Sequence, residues 1–229
     1  MTKARTRHNS EDARPAYPKK DWRIPGASAF VAAVAAGLLL GACSSTKPPA
    51  KVSSGTTGPE GVVIPNGQFL ASADTTVNGS TVDGIQCQTS EQVVFHIHAH
   101  LSVYVNGSPV RIPYGIGITQ PRGVQQTPVG PFVSSGGCFY WLHTHAADGI
   151  IHIESPSQRT YTLGNFFDIW DQPLNSDQVA TAKGTVFAYV DGRKFTGSPA
   201  SIVIGDHTQV QLDVGKDVPF VPVSFGSQL

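Results

Sequence analysis

Seven of the eight histidines lie between residues 96 and 207, and they are the side chains of this chain best suited to chemistry. They form two clusters and a single residue in a turn: His96, His98 and His100; His143, His145 and His152; and His207. Imidazole nitrogen binds Zn, Cu and Ni well. The pattern therefore indicates a metal site, while surface histidines or hydrogen-bonded core histidines are the alternative.

The first cluster lies in VVFHIHAHLSVYV, residues 93–105, where polar and apolar residues alternate. A period of two predicts a strand with the three histidines on one face. At about 3.3 Å per residue, His96 and His100 are about 13 Å apart, but adjacent members of the series are about 6.6 Å apart. We therefore expect two of them to share one ion and the third to have a neighbouring role.

The second cluster flanks Asp148-Gly149, a strong hairpin turn signal. A two-residue loop would pair His145 with His152 and His143 with Glu154, whereas a four-residue loop would pair His143 with His152. Either loop places the cluster on one face, and a three-residue loop would not. Glu154 and Asp148 are candidates to orient the histidine rings or, in an enzyme, to act as the catalytic base.

The N-terminal segment predicts export. Residues 1–23 are polar and net basic, residues 27–42 are apolar, and the apolar run ends in Leu-Gly-Ala-Cys at Cys43. An uncleaved transmembrane helix is the alternative, but about 16 apolar residues are fewer than the ~20 that span a bilayer.

The Leu-Gly-Ala-Cys end resembles the lipobox of bacterial lipoproteins. This resemblance implies lipidation of Cys43, removal of residues 1–42 and a lipid anchor on the extracytoplasmic face of the cell membrane. Residues 43–60, rich in Ser, Thr, Gly and Pro, predict a flexible tether. Residues 61–229 then form a single His-rich β domain.

The remaining cysteines and the methionine limit the choice of metal. Outside the cytoplasm, Cys87 and Cys138 are expected to form a disulfide, with metal ligation as the alternative. Met1 is the only methionine, which argues against a thioether site for Cu(I). The predicted cofactor is a Zn or Cu ion, and the predicted ligands are His96, His98, His100, His143, His145 and His152. His207 is as well suited to a structural role.

The composition predicts a mainly β fold. With 24 Gly and 17 Pro, the chain favours an antiparallel β-sandwich or small barrel with one or two short helices, expected at residues 162–170 and 176–183. Residues 115–131 are expected to form a long loop. The formal net charge is zero, so no basic surface for nucleic acid is indicated.

The segments FHIHAHLSVYVNG, CFYWLHTHAADGIIHIESP and YTLGNFF resemble an uncharacterised group of exported or membrane-anchored prokaryotic proteins. That group carries an H-x-H strand, an H-T-H-x-x-x-G-x-I-H-I segment and a T-L-G-x-F-F segment. The resemblance covers roughly residues 93–170. It implies a shared histidine site and names no reaction.

Three functions fit the sequence. The first is a metal-binding lipoprotein that sequesters, senses or delivers Cu(II) or Zn(II). The second is a metal-dependent envelope enzyme, either a zinc hydrolase or hydratase or a copper oxidoreductase, although no H-E-x-x-H or G-x-S-x-G motif is present. The third is a metal-free binding module. The expected partners are the membrane, through the lipid anchor, and the metal ion; the sequence names no protein partner.

Overall fold

The structure is a computed structural model that describes residues 55–229. The predicted signal peptide, the lipidation at Cys43 and the first part of the tether lie outside these residues. The described strands are β1 (Gly55–Thr57), β2 (Val63–Pro65), β3 (Cys87–Gln88), β4 (Phe95–Val105), β5 (Ser108–Val110), β6 (Gly123–Thr127), β7 (Gly130–Ser135), β8 (Phe139–Tyr140), β9 (Leu142–His143), β10 (Ile150–Ser155), β11 (Tyr161–Thr162), β12 (Gln178–Val179), β13 (Ala182–Lys183), β14 (Val186–Val190), β15 (Arg193–Phe195), β16 (Val203–Ile204) and β17 (Gln209–Val214).

A seven-stranded sheet carries both histidine clusters. Its strands run in the order β15-β14-β17-β4-β10-β9, and β5 also pairs with β4. The pairings are antiparallel except for β17, which lies parallel to β4. Among the described residues the sheets form no closed barrel. The mainly β fold is confirmed and is consistent with a β-sandwich, with one parallel pair that was not expected.

Strand β4 separates the core from the histidines, as its alternation predicts. Ala99, Leu101 and Val103 are at most 1% exposed and belong to the main hydrophobic core. The histidines of β4 alternate with them, so they belong to the opposite face of the strand. Asn106-Gly107 turns the chain, and Val105 pairs with Ser108 in the predicted hairpin.

One of the two predicted helices is present. Helix α1 spans Leu163–Trp170 and begins with a capping box in which the Thr162 hydroxyl accepts from Asn165 N and the Asn165 side chain accepts from Thr162 N. Its aromatic residues Phe166, Phe167 and Trp170 are fully buried in the core. Two 3-10 helices, Ala73–Thr75 and Pro199–Ser201, are the other helical elements of the described residues.

The helix predicted over residues 176–183 is wrong. Gln178–Val179 and Ala182–Lys183 instead form the β12–β13 hairpin, and Ala180 takes a left-handed conformation with φ of 49° in its turn. The segment contains β-branched Val179 and Thr181, which favour strands over helices. Burial of Val179 in the core then selects the hairpin.

Two segments predicted to lack regular structure contain strands. Residues 115–131, expected to be a loop, include β6 and the start of β7, which pair as a hairpin. Residues 55–60, assigned above to the tether, include β1, which pairs with β2. Within the described residues, regular structure therefore begins at Gly55. Glu60 and the β6–β7 hairpin contact the histidine clusters, as described next.

Candidate metal centre

The strand register places the two clusters side by side. On β10, His152 is paired with His98 of β4 on one side and with His143 of β9 on the other. Glu154 is paired with His96. The pairing of His143 with His152 is the one that a four-residue loop predicts. Three imidazoles consequently follow one another across three neighbouring strands.

Two groups of side chains could each hold a metal ion, because the ligand atoms within each group lie within 4.8 Å of one another. The first group consists of His143, His145, His152 and Glu154, and the second of His96, His98 and His152. Every residue of the first group is at most 7% exposed. The two groups share His152, whose ring centroid lies 4.6 Å from that of His145 and 4.7 Å from that of His98.

Backbone carbonyls fix the tautomers of His143 and His145. His143 Nδ1 lies 2.8 Å from Tyr140 O, and His145 Nδ1 lies 2.5 Å from Val133 O. Because a carbonyl oxygen can only accept, each Nδ1 must carry the hydrogen. Burial lowers the pKa of both rings, well below the ordinary value for His143, so both are neutral. Each Nε2 therefore presents a lone pair.

These two lone pairs face each other. The Nε2 atoms of His143 and His145 are 3.1 Å apart, and with both Nδ1 atoms protonated neither Nε2 has a hydrogen to donate. Two nitrogen ligands of a tetrahedral Zn²⁺ are roughly 3.3 Å apart, given bonds of about 2.0–2.1 Å. Without a cation, the two lone pairs repel each other. With a cation between them, their spacing is close to that of two nitrogen ligands of one ion.

A pair of carboxylates flanks His152. Its Nε2 lies 2.5 Å from Glu60 Oε1 and its Nδ1 lies 3.3 Å from Glu154 Oε1. Burial disfavours the charged ring, but the nearby Glu154 and Glu60 carboxylates outweigh it and raise the pKa of His152 to about 9. Burial alone would raise the pKa of the Glu154 carboxyl, but His152 and His143 outweigh it and lower this pKa to about 2.

The charge of this cluster suits a divalent cation. The carboxylates of Glu60, Glu91 and Glu154 all lie against its histidine rings, whereas His152 is the histidine of the first group whose pKa is raised. Buried charges are costly unless they are compensated, so the cation is electrostatically favoured.

Several polar atoms of the centre are buried without a hydrogen-bond partner: Glu60 Oε2, Glu154 Oε2 and His152 Nδ1. A buried polar atom left unpaired costs about 1–3 kcal/mol. Three such atoms within one cluster are unusual for a folded protein, where buried polar groups are normally satisfied. Coordination of a metal would satisfy those that serve as ligands.

Segments that the sequence did not single out cover the site. Glu60, predicted to lie in the tether, reaches His152, and Glu91 Oε1 lies 3.4 Å from His145 Nε2. The β6–β7 hairpin adds Val133 O and the ring of Phe132, which stacks on His145 at 4.8 Å between centroids. No spacing in the sequence marks these residues.

Three other candidates lie outside both groups. His100 Nε2 is hydrogen-bonded to Asp148 O at 2.8 Å, which is the neighbouring role expected for one histidine of β4. Asp148 Oδ1 accepts from Ile150 N in the turn, and burial beside Glu60 raises the pKa of its carboxyl well above the usual range. His207 is exposed, and its Nε2 lies 3.2 Å from Leu229 O.

The predicted disulfide is present between Cys87 and Cys138. Strand β3 pairs with β8 beside it, with Cys87 opposite Tyr140, whose carbonyl fixes the His143 tautomer. The bridge removes both thiolates from the ligand pool, so the ligands of the described residues are nitrogen and oxygen atoms.

No protein family, curated protein or solved structure matches this chain. Among residues 55–229, no helix is long and apolar enough to cross a bilayer.

Proposed function

We propose that this chain is a lipid-anchored protein of the extracytoplasmic face of the cell membrane that binds Zn²⁺ or Cu²⁺ through His143, His145, His152 and Glu154. The membrane part rests on the lipobox-like sequence ending at Cys43. The metal part rests on the geometry of the histidine cluster.

The observation that carries the metal site is the pair of Nε2 lone pairs of His143 and His145, 3.1 Å apart. In metal sites a ligating histidine commonly donates its other N–H to a carbonyl or carboxylate, which fixes the ring. Both histidines have this arrangement, with Tyr140 O and Val133 O as acceptors. A core histidine pair without metal would place a hydrogen between the two facing nitrogens.

The donor set favours Zn²⁺ or Cu²⁺ among biological metals. Three imidazoles and one carboxylate match the nitrogen-rich environments of both ions. The soft ligands that select Cu(I) are missing from the described residues, because Cys87 and Cys138 are bridged and the sole methionine is Met1. The order of intrinsic affinities places Cu²⁺ above Zn²⁺.

Binding or delivery of metal is favoured over catalysis at this first group. Its four ligands complete a tetrahedral shell, and each is at most 7% exposed, whereas a catalytic zinc keeps an open position. Neither candidate base is free for catalysis. Glu154 belongs to the ligand group, and Asp148 lies beside Glu60 with a raised pKa.

The test is metal retention by untagged full-length chain. Metal-free protein is dialysed against equimolar Zn²⁺ and Cu²⁺, separated from free ions by gel filtration and analysed for metal. At least one tightly held ion per chain is expected, and its removal by a chelator should lower the melting temperature. Protein that retains no metal and melts unchanged would favour the metal-free binding module.

A further inference from the structure

The Glu154 carboxylate contacts histidines of both groups. Oε1 lies 3.1 Å from His96 Nε2 and 3.3 Å from His152 Nδ1, and Oε2 lies 3.9 Å from His143 Nε2. The carboxylate is 3% exposed, and Oε2 has no hydrogen-bond partner. A buried carboxylate that contacts both groups is placed to bridge two cations.

The second group repeats the spacing of the first. His96 Nε2 and His98 Nε2 are 3.0 Å apart, close to the 3.1 Å between the Nε2 atoms of His143 and His145. His96 and His98 are alternate residues of β4, and both their rings neighbour the ring of His152. His96, His98 and His152 thus offer ligand nitrogens within 4.8 Å of one another at a second position, and Glu154 Oε1 lies beside it at 3.1 Å from His96 Nε2.

This second position is open where the first is closed. The side chain of His96 is 38% exposed, whereas His98 is 7% exposed and the first group is buried. Two imidazoles and one carboxylate leave at least one position of a tetrahedral ion for solvent. The second position therefore has the features of an exchangeable site.

We infer that the centre is dinuclear. Building on the proposed function, His143, His145 and His152 hold one divalent cation in the closed position, His96 and His98 hold another in the open position, and the Glu154 carboxylate bridges them. Metal ions joined in this way are typically about 3.5–4 Å apart. The closed ion organises the site, and the open ion is the one that exchanges with solvent or with a partner.

Cu²⁺ titration followed by electron paramagnetic resonance tests the second site. Untagged, metal-free full-length chain is titrated to two equivalents, and bound copper is counted after gel filtration. We expect two Cu²⁺ per chain, with an integrated signal well below two spins because bridged ions couple. His98→Gln should bind one Cu²⁺ per chain and give an uncoupled signal of one spin.

His96→Gln, at the more exposed position, repeats the test if His98→Gln does not fold, and His207→Gln serves as the control that should keep two coupled ions. One Cu²⁺ per chain in the wild type, with the same count in His98→Gln and His96→Gln, would overturn the dinuclear centre and leave the proposed function standing. Two uncoupled Cu²⁺ ions that persist in His98→Gln and His96→Gln would also overturn the dinuclear centre. No bound Cu²⁺ and no bound Zn²⁺ would overturn both proposals.

Discussion

At the scale of single residues, the role of a buried histidine depends on what its second nitrogen contacts. His100 and His145 are both at most 5% exposed, yet they differ in this respect. The Nε2 of His100 is satisfied by Asp148 O, whereas carbonyl bonding of Nδ1 leaves the Nε2 of His145 as a lone pair facing another. Only the second arrangement favours a cation.

The first prediction follows from this difference. His145→Gln and His143→Gln each remove one imidazole ligand, so the affinity for the first Zn²⁺ should fall at least ~100-fold, or about 2.7 kcal/mol. Competition against a chromophoric chelator measures the affinity. Circular dichroism and the melting temperature of the metal-free variants establish whether they fold.

His207→Gln is the matched control because His207 is exposed and lies outside both groups. Its affinity should equal that of the wild type. An equal loss in all three variants, or no loss in any, would contradict the assignment of His143 and His145 as ligands.

Five of the six predicted histidines lie in the two groups, and the alternation of side chains along the strands was enough to select them. The exception is His100, and the 13 Å length of the series already implied that one histidine of β4 would lie apart. Glu60 and Glu91 could not be selected among the 16 acidic residues, because they reach the site through the folding of loops. The alternation of side chains describes the two faces of one strand and contains no information about which loops cover that strand.

At the scale of elements, the position of β9 depends on close contact with Gly117. Gly117 has φ of +72°, and a Cβ there would lie 2.2 Å from Leu142 O and 2.9 Å from His143 Cβ. Gly117 O also accepts from Tyr140 N. A side chain at residue 117 would therefore displace the backbone that carries His143.

The second prediction compares Gly117→Ala with Gly79→Ala. Both residues have positive φ, which costs alanine about 1 kcal/mol, but a Cβ at residue 79 would meet nothing closer than 4.0 Å. Gly117→Ala should lower the free energy of unfolding by more than Gly79→Ala and should also weaken Zn²⁺ binding. Denaturant unfolding and chelator competition measure the two effects, and equal behaviour of the variants would refute the argument.

The third prediction concerns Asp213 on β17, which is fully buried. Burial raises the pKa of its carboxyl from 3.8 to about 6, despite hydrogen bonds from Val218 N and Gln211. The folded state thus binds the proton more tightly than the unfolded state. Its contribution to stability is complete below pH 3.8 and is lost as the pH rises through about 6.

Asp213→Asn removes this titration. Between about pH 4 and pH 6.5, metal-free wild type should lose up to about 3 kcal/mol of unfolding free energy relative to the variant. Urea unfolding of both proteins across this range, with chelator present, gives the difference. A difference that stays constant with pH would show that Asp213 does not titrate in this window.

The elements that sequence predicted best are those with a strong periodic pattern. The alternation of β4 and the aromatic residues of α1 each specify one structure, and both are found. Residues 176–183 are short and compatible with helix or strand, so core packing of Val179 decides between them. The β6–β7 hairpin contains Gly, Pro and Gln and has little apolar pattern. Val133 N in this hairpin donates to His145 O, a tertiary contact that the local sequence does not specify.

At the scale of the whole molecule, the proposed lipid anchor makes the fourth prediction. Lipidation at Cys43 should place the protein in the membrane fraction of its bacterial host and add the mass of a diacylglycerol to the mature chain. Cys43→Ala cannot accept the lipid, so this mass should be lost and the processed, anchored form should not accumulate. Wild-type protein that is found without lipid in the soluble fraction would refute the anchor.

Metal binding should also be visible as stability of the whole domain, because ligands from β4, β9 and β10 meet at one centre. An ion that binds the folded state alone stabilises it by about 2.7 kcal/mol at a free concentration 100 times its dissociation constant. Residues 55–65 and the β6–β7 hairpin cover the centre, so they should become more protected from hydrogen exchange when metal is added.

The most direct test of the account is X-ray absorption spectroscopy of the untagged chain loaded with one equivalent of Zn²⁺. We predict a first shell of nitrogen and oxygen atoms at about 2.0–2.1 Å, with outer-shell scattering from three imidazoles and no sulfur. The same spectrum from His145→Gln should contain one imidazole fewer. A shell containing sulfur, or fewer than two imidazoles in the wild type, would contradict a centre built from His143, His145, His152 and Glu154.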